Sequence, residues 1–151
     1  FPNRANAFQF DTDTHNIFIC ADSNRLLSAF LELLSNAAEA DNSCGSIQIH
    51  SHVNACGHTV TVSVTGKGSL SEINPSEMQT NPLIDADAPL TAQLSTPFFS
   101  TKENHAGLGL SIVAQVCHTH HAGFELYSRN GFTTAGITFP ILAMDDMRNT
   151  I

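Results

Sequence analysis

The chain has 151 residues, 42% of them hydrophobic, with six basic residues against fourteen acidic ones and a net charge of −8. That length supports one domain with its own core and is too short for two of ordinary size, while the acidic balance makes a poor field for attracting nucleic acid. No run approaches the roughly 18 consecutive apolar residues of a membrane span, and no signal-peptide pattern opens the chain.

Phe1 rather than Met stands first, as expected of a piece of a longer protein. The expectation is a single cytoplasmic module over residues 1–151, with a mobile tail at 142–151 and no direct membrane contact, from a parent protein that could itself be membrane-bound. Cys20, Cys44, Cys56 and Cys117 contain no Cys-x-x-Cys pair, which argues against a zinc ribbon or a redox motif and for reduced, mostly buried thiols.

Residues 7–10 and 17–20 are short strand-like runs separated by the turn formers of 11–16, a pattern that predicts a hairpin. Asp22 or Ser23 is a suitable N-cap for a long helix running to about Ala40. Along that helix Leu27, Phe30, Leu31, Leu34 and Ala38 recur at three- and four-residue spacing, the stripe expected to face a sheet. Glu32, Ser35, Asn36 and Glu39 form a separate polar stripe. Glu32 and Asn36 are one turn apart and able to converge on one object; periodicity alone equally describes the solvated side of an amphipathic helix.

Residues 42–45 read as a turn. Ile47, Ile49 and Val53, alternating with Gln48 and His50, and then Val60, Val62 and Val64, alternating with Thr61 and Ser63, predict two adjacent antiparallel strands around a turn at 54–58. His50, His52 and His58 read as surface residues rather than metal ligands, and Asp85 with Asp87 as part of a solvated loop. Residues 69–93, punctuated by Pro75, Pro82 and Pro89, predict an irregular excursion.

Residues 94–113 carry the clearest signal. Pro97, Phe98 and Phe99 read as an apolar anchor, 100–106 as a polar mobile segment, and Gly107-Leu108-Gly109 as a turn that opens a helix reaching about His121. A helix that begins on glycines exposes unpaired N–H groups and the positive end of its dipole, which favours phosphate; a Gly-x-Gly alone is equally compatible with a simple turn. Leu110, Ile112, Val113, Val116 and Cys117 supply the apolar face of this second helix, expected beside the first. His118, His120 and His121 crowd its end, where imidazoles suit the negative pole of the dipole. Ala122-Gly123 is expected to terminate it, and residues 124–128 and 133–141 to form two final strands around Arg129-Asn130-Gly131.

Pro97-Phe98-Phe99-Ser100-Thr101-Lys102, followed by Gly107-Leu108-Gly109-Leu110-Ser111-Ile112-Val113, closely resembles the phenylalanine box and second glycine box of bacterial sensor histidine kinases, whose ATP-binding domain is shared with gyrase B, MutL and ninety-kilodalton heat-shock chaperones. Leu33-Leu34-Ser35-Asn36-Ala37 resembles the asparagine box of the same family. By that resemblance Asn36 holds the magnesium ion that bridges the nucleotide phosphates. Glu32 takes the position of a general base or water-orienting group, and Lys102 on the lid contributes charge neutralisation. Gly66, Gly68, Lys102, Gly107, Leu108, Gly109 and Leu110, with Asn36, are then the ATP-contacting positions.

The first glycine box departs from the pattern. Its adenine-binding Asp falls at Gly66, Gly68 keeps the middle glycine, and Leu70 replaces the last one; His105 stands where the second box has its first glycine. Adenine thereby loses a charge-assisted contact of about 1.5–3 kcal/mol, roughly ten- to hundredfold in affinity. Thr65 or a water could substitute as acceptor, and Lys67 could contribute to phosphate binding.

These readings imply an α+β two-layer sandwich, a mixed and mostly antiparallel sheet with helices on one face. The implied function is the ATP-binding domain of a two-component sensor histidine kinase, presenting the γ-phosphate to a histidine on a dimerisation hairpin outside this chain. The parent would be a homodimer with a response regulator as partner. Two alternatives accompany it: a docking or regulatory module in a phosphorelay that keeps the fold without turning over ATP, and an anti-sigma-type serine kinase or MutL-type ATPase using Glu32.

Overall fold

The computed structural model describes residues 7–13, 16–40, 45–68 and 109–142. The lid segment, the phenylalanine box, Lys102, His105, Gly107 and Leu108 lie outside the described residues. In chain order the elements are β1 (Ala7–Thr12), α1 (Ser23–Ala40), β2 (Ser46–Val53), β3 (Thr59–Lys67), α2 (Gly109–Thr119), β4 (Gly123–Arg129) and β5 (Phe132–Pro140).

Five strands form one sheet in the order β1-β2-β3-β5-β4. β1 pairs parallel with β2, and every other pairing is antiparallel, so the mixed, mostly antiparallel sheet expected from the sequence is present. Alternation sends Ile47 of β2, Val60 and Val64 of β3, and Ala135, Ile137 and Phe139 of β5 to one face. There they bury against Ala29 and Leu33 of α1 and Val113, Val116 and Cys117 of α2 in a single core. α1 lies over β3 and β2, α2 lies over β4, and the helices pack against each other.

The hairpin expected at the N-terminus does not form. Residues 17–20 belong to no strand, and β1 pairs with β2 in parallel. A parallel pair requires a crossover too long for a turn, and α1 supplies it. Ile17 and Ile19 pack on the core instead, and the Leu142 amide donates to the Phe18 carbonyl at 2.8 Å, tying this stretch to the end of β5.

The sheet-facing stripe of α1 is also rotated from the expected one. Ala29 and Leu33 are its buried residues, with Leu26, Phe30 and Ala37 packed around them, whereas Leu27 and Leu31 are 59% and 55% exposed. Leu34 and Ala38 do touch the core. The apolar arc of α1 is wider than one face, and the contacts with β3 and α2 select its centre.

Other local signals hold. Asp22 caps α1, its Oδ1 accepting from the Asn24 and Arg25 amides at 2.9 and 3.1 Å. Asn54 organises the β2–β3 turn, its Oδ1 accepting from the His58 and Thr59 amides. Asn130 and Gly131, with φ of 54° and 77°, make the two-residue β4–β5 turn. The end of α2 differs from expectation: His121, at φ 52°, takes the left-handed position, with the Ala122 amide bonded to Cys117 O at 2.8 Å and the His121 amide to His118 O at 3.3 Å. Gly123 already belongs to β4.

Candidate functional site

Glu32 and Asn36 stand one turn apart on the side of α1 that meets the first residue of α2. A Cβ placed on Gly109 would lie 2.7 Å from Glu32 Oε2 and 3.6 Å from Asn36 Nδ2. Both side chains are half-buried. The first turn of α2 contains no acidic residue of its own, and the positive end of its dipole lies beside the Glu32 carboxylate across the helix pair. The rest of the predicted polar stripe is engaged elsewhere: Ser35 Oγ donates to Glu39 Oε1 at 3.0 Å within α1.

A second contact fixes how deeply α1 sits on the sheet. Gly66 is buried on β3, and a Cβ there would lie 2.9 Å from Ala37 Cβ and 3.2 Å from both Ala37 Cα and Ala37 O. Gly68, at φ 145°, would place a Cβ 3.1 Å from Ala40 Cβ. Its amide donates to Gly131 O at 2.9 Å and its carbonyl accepts from Thr133 Oγ1 at 3.0 Å. Two glycines two residues apart, at the end of β3 and just past it, thus receive two alanines three residues apart on α1, and this seat carries Asn36, next to Ala37, over the end of the strand. Ala37 and Ala40 escaped the sequence reading. The matched small-residue spacings 37/40 and 66/68 were the signal that could have found them.

Thr65 and Lys67 point the other way. Thr65 Oγ1 lies 2.9 Å from Thr134 Oγ1, and Lys67 is exposed opposite Phe132, both on the sheet face away from the helices. Leu110 follows Gly109 and packs against the core.

The far ends of the helices are tied as well. The His120 ring, carrying its proton on Nδ1, donates to Val116 O at 2.7 Å, and its Nε2 accepts from the Asp22 amide at 3.0 Å. The start of α1 therefore meets the end of α2, and the two helices run antiparallel. The Arg25 amide bond, helped by the Asn24 amide and the charges of Arg25 and His120, holds the Asp22 carboxyl below its ordinary value against opposing desolvation. Burial pushes the Cys117 thiol up to about 11. Among the described residues no group of three or more His, Cys, Asp or Glu side chains gathers as a metal site, and no helix is long and apolar enough to cross a membrane.

Residues 21–143 match the family model described as Histidine kinase-, DNA gyrase B-, and HSP90-like ATPase. The chain is similar to the sensory histidine kinase/phosphatase NtrB of Rhizobium leguminosarum bv. phaseoli, at 33% identity over 127 residues, covering 81% of this chain and 32% of NtrB. The solved catalytic domain of the histidine kinase ThkA is 28% identical with a TM-score of 0.66, over 89% of this chain and 78% of that one. ThkA solved in complex with the response regulator protein TrrA is 26% identical, TM-score 0.63, over 89% and 34% of the two chains. This chain spans about a fifth to a third of the length of the curated relatives it matches. Fold and family match agree: the chain belongs to the histidine kinase-, DNA gyrase B- and HSP90-like ATPase family, with the fold of the catalytic domains of sensor histidine kinases.

Proposed function

We propose that this domain binds magnesium-complexed ATP where α1 meets the glycine opening of α2, and presents the γ-phosphate to a histidine on a helical hairpin outside this chain. The observation that carries this reading is the approach of Glu32 and Asn36 to Gly109. An amide and a carboxylate supply hard oxygens of the kind magnesium prefers, and the α2 N-terminus supplies N–H groups for phosphate. The donor set therefore fits the metal. Magnesium, when bound, would neutralise phosphate charge, with Asn36 as its protein ligand and Glu32 orienting water or the attacking group.

Phosphoryl transfer depends mainly on positioning and charge neutralisation, and the positioning here would come from two antiparallel helices bonded at one end and in close approach at the other. Lys102, Gly107 and Leu108 complete the assignment on sequence alone. The response regulator as onward acceptor rests on likeness to ThkA, and the homodimeric, hairpin-bearing parent on family resemblance.

Calorimetric titration with the magnesium complex of a non-hydrolysable ATP analogue tests the reading. Saturable binding in the micromolar to low-millimolar range, weakened at least about tenfold by Asn36→Ala, is expected. Silence at several millimolar would instead support the docking-module alternative.

A further inference from the structure

We propose that this site selects its ligand by triphosphate and metal rather than by base, so that ATP and GTP bind with nearly equal affinity. The inference rests on the nucleotide-site reading above and concerns what β3 can offer a base. Three positions at the end of that strand could have read one: Thr65, Gly66 and Lys67. Strand alternation turns 65 and 67 to the open face of the sheet, where the Thr65 hydroxyl is already bonded to Thr134 at 2.9 Å and Lys67 stands opposite Phe132. Neither shares a face with Asn36.

Gly66 is on the correct face, but it has no side chain and no room for one. Of the three nearest atoms a Cβ would meet, two are Ala37 backbone atoms at 3.2 Å and the third is Ala37 Cβ at 2.9 Å, so α1 itself would have to move. Gly68, just past the end of β3 and on the same helix-facing side as Gly66, is seated on Ala40. What the described residues do aim at the α2 opening is Glu32 and Asn36, groups suited to a hydrated cation and to phosphate oxygens.

The test is competition between the magnesium complexes of the non-hydrolysable ATP and GTP analogues on the full chain. Dissociation constants within about fivefold of each other are expected; a larger preference for either base overturns the inference and leaves the triphosphate site standing. Binding of neither at several millimolar overturns the site reading, and this inference with it. As a second arm, Gly66→Asp should bring no gain in preference for the ATP analogue, because the carboxylate cannot enter between β3 and α1. A gain of about tenfold would show that it can and would also overturn the inference. Should that variant fold poorly, the wild-type ratio decides alone.

Discussion

At Gly109 the absence of a methyl group sets how closely the start of α2 approaches Glu32. An added Cβ would stand 2.7 Å from the end of a flexible carboxylate rather than from backbone, so Glu32 can swing aside with little strain. Gly109→Ala should therefore leave the melting temperature unchanged or slightly raised, since alanine is the better helix former by about 1 kcal/mol. Affinity for the magnesium–nucleotide complex should fall about tenfold, because Glu32 is displaced from the opening. Parallel thermal melts and calorimetry separate the two effects, and a loss of stability matching the loss of binding would contradict the assignment. Gly66 differs in kind: its neighbour is the backbone of α1, which has no rotamer to escape into.

At the scale of elements, α1 combines a load-bearing centre with an exposed flank. Leu33 is 2% exposed and Leu31 is 55% exposed, two residues apart on one helix. Leu33→Ala should cost about 2–5 kcal/mol and Leu31→Ala about 0.5 kcal/mol or less by urea unfolding. Similar losses for both would mean that α1 is rotated from the orientation described.

The cap of the same helix governs the acid limb of stability. The folded-state pKa of Asp22 is lowered, so its stabilisation is fully present above the ordinary carboxyl value of 3.8 and disappears as pH falls through the still lower folded value. Asp22→Ala should lower the melting temperature at pH 7, and the gap from wild type should narrow below about pH 4. A gap that stays constant down to pH 2 would place the effect outside the carboxylate.

For the whole molecule, the candidate site depends on two antiparallel helices set against one sheet: the Asp22–His120 bond joins them at one end, and Gly109 approaches Glu32 and Asn36 at the other. A ligand bridging them should stabilise the folded state as a unit. At about a hundred times its dissociation constant the gain is about 2.7 kcal/mol, or a rise of about 5–10 °C in melting temperature for a domain of this size. Excess EDTA should abolish the rise produced by magnesium with the ATP analogue; a rise that survives chelation would remove the metal from the account.

Much of this was readable in the chain itself. Alternation at 46–53 and 59–67, the Asp22 cap, the Asn130-Gly131 turn and the polar pair Glu32/Asn36 are local patterns, set by side-chain period and hydrogen bonding within a few residues, and the structure contains all of them. Three features were decided only by tertiary structure. The strand-like run at 7–10 could have paired with 17–20, but the parallel partner β2, made available by the α1 crossover, took it. The wide apolar arc of α1 allowed several orientations, and packing against β3 and α2 buried Ala29 and Leu33 rather than Leu27 and Leu31. The meaning of Gly66 lay 29 positions away in Ala37, because the space open to a residue is determined by what packs against it and not by its own neighbours in the chain.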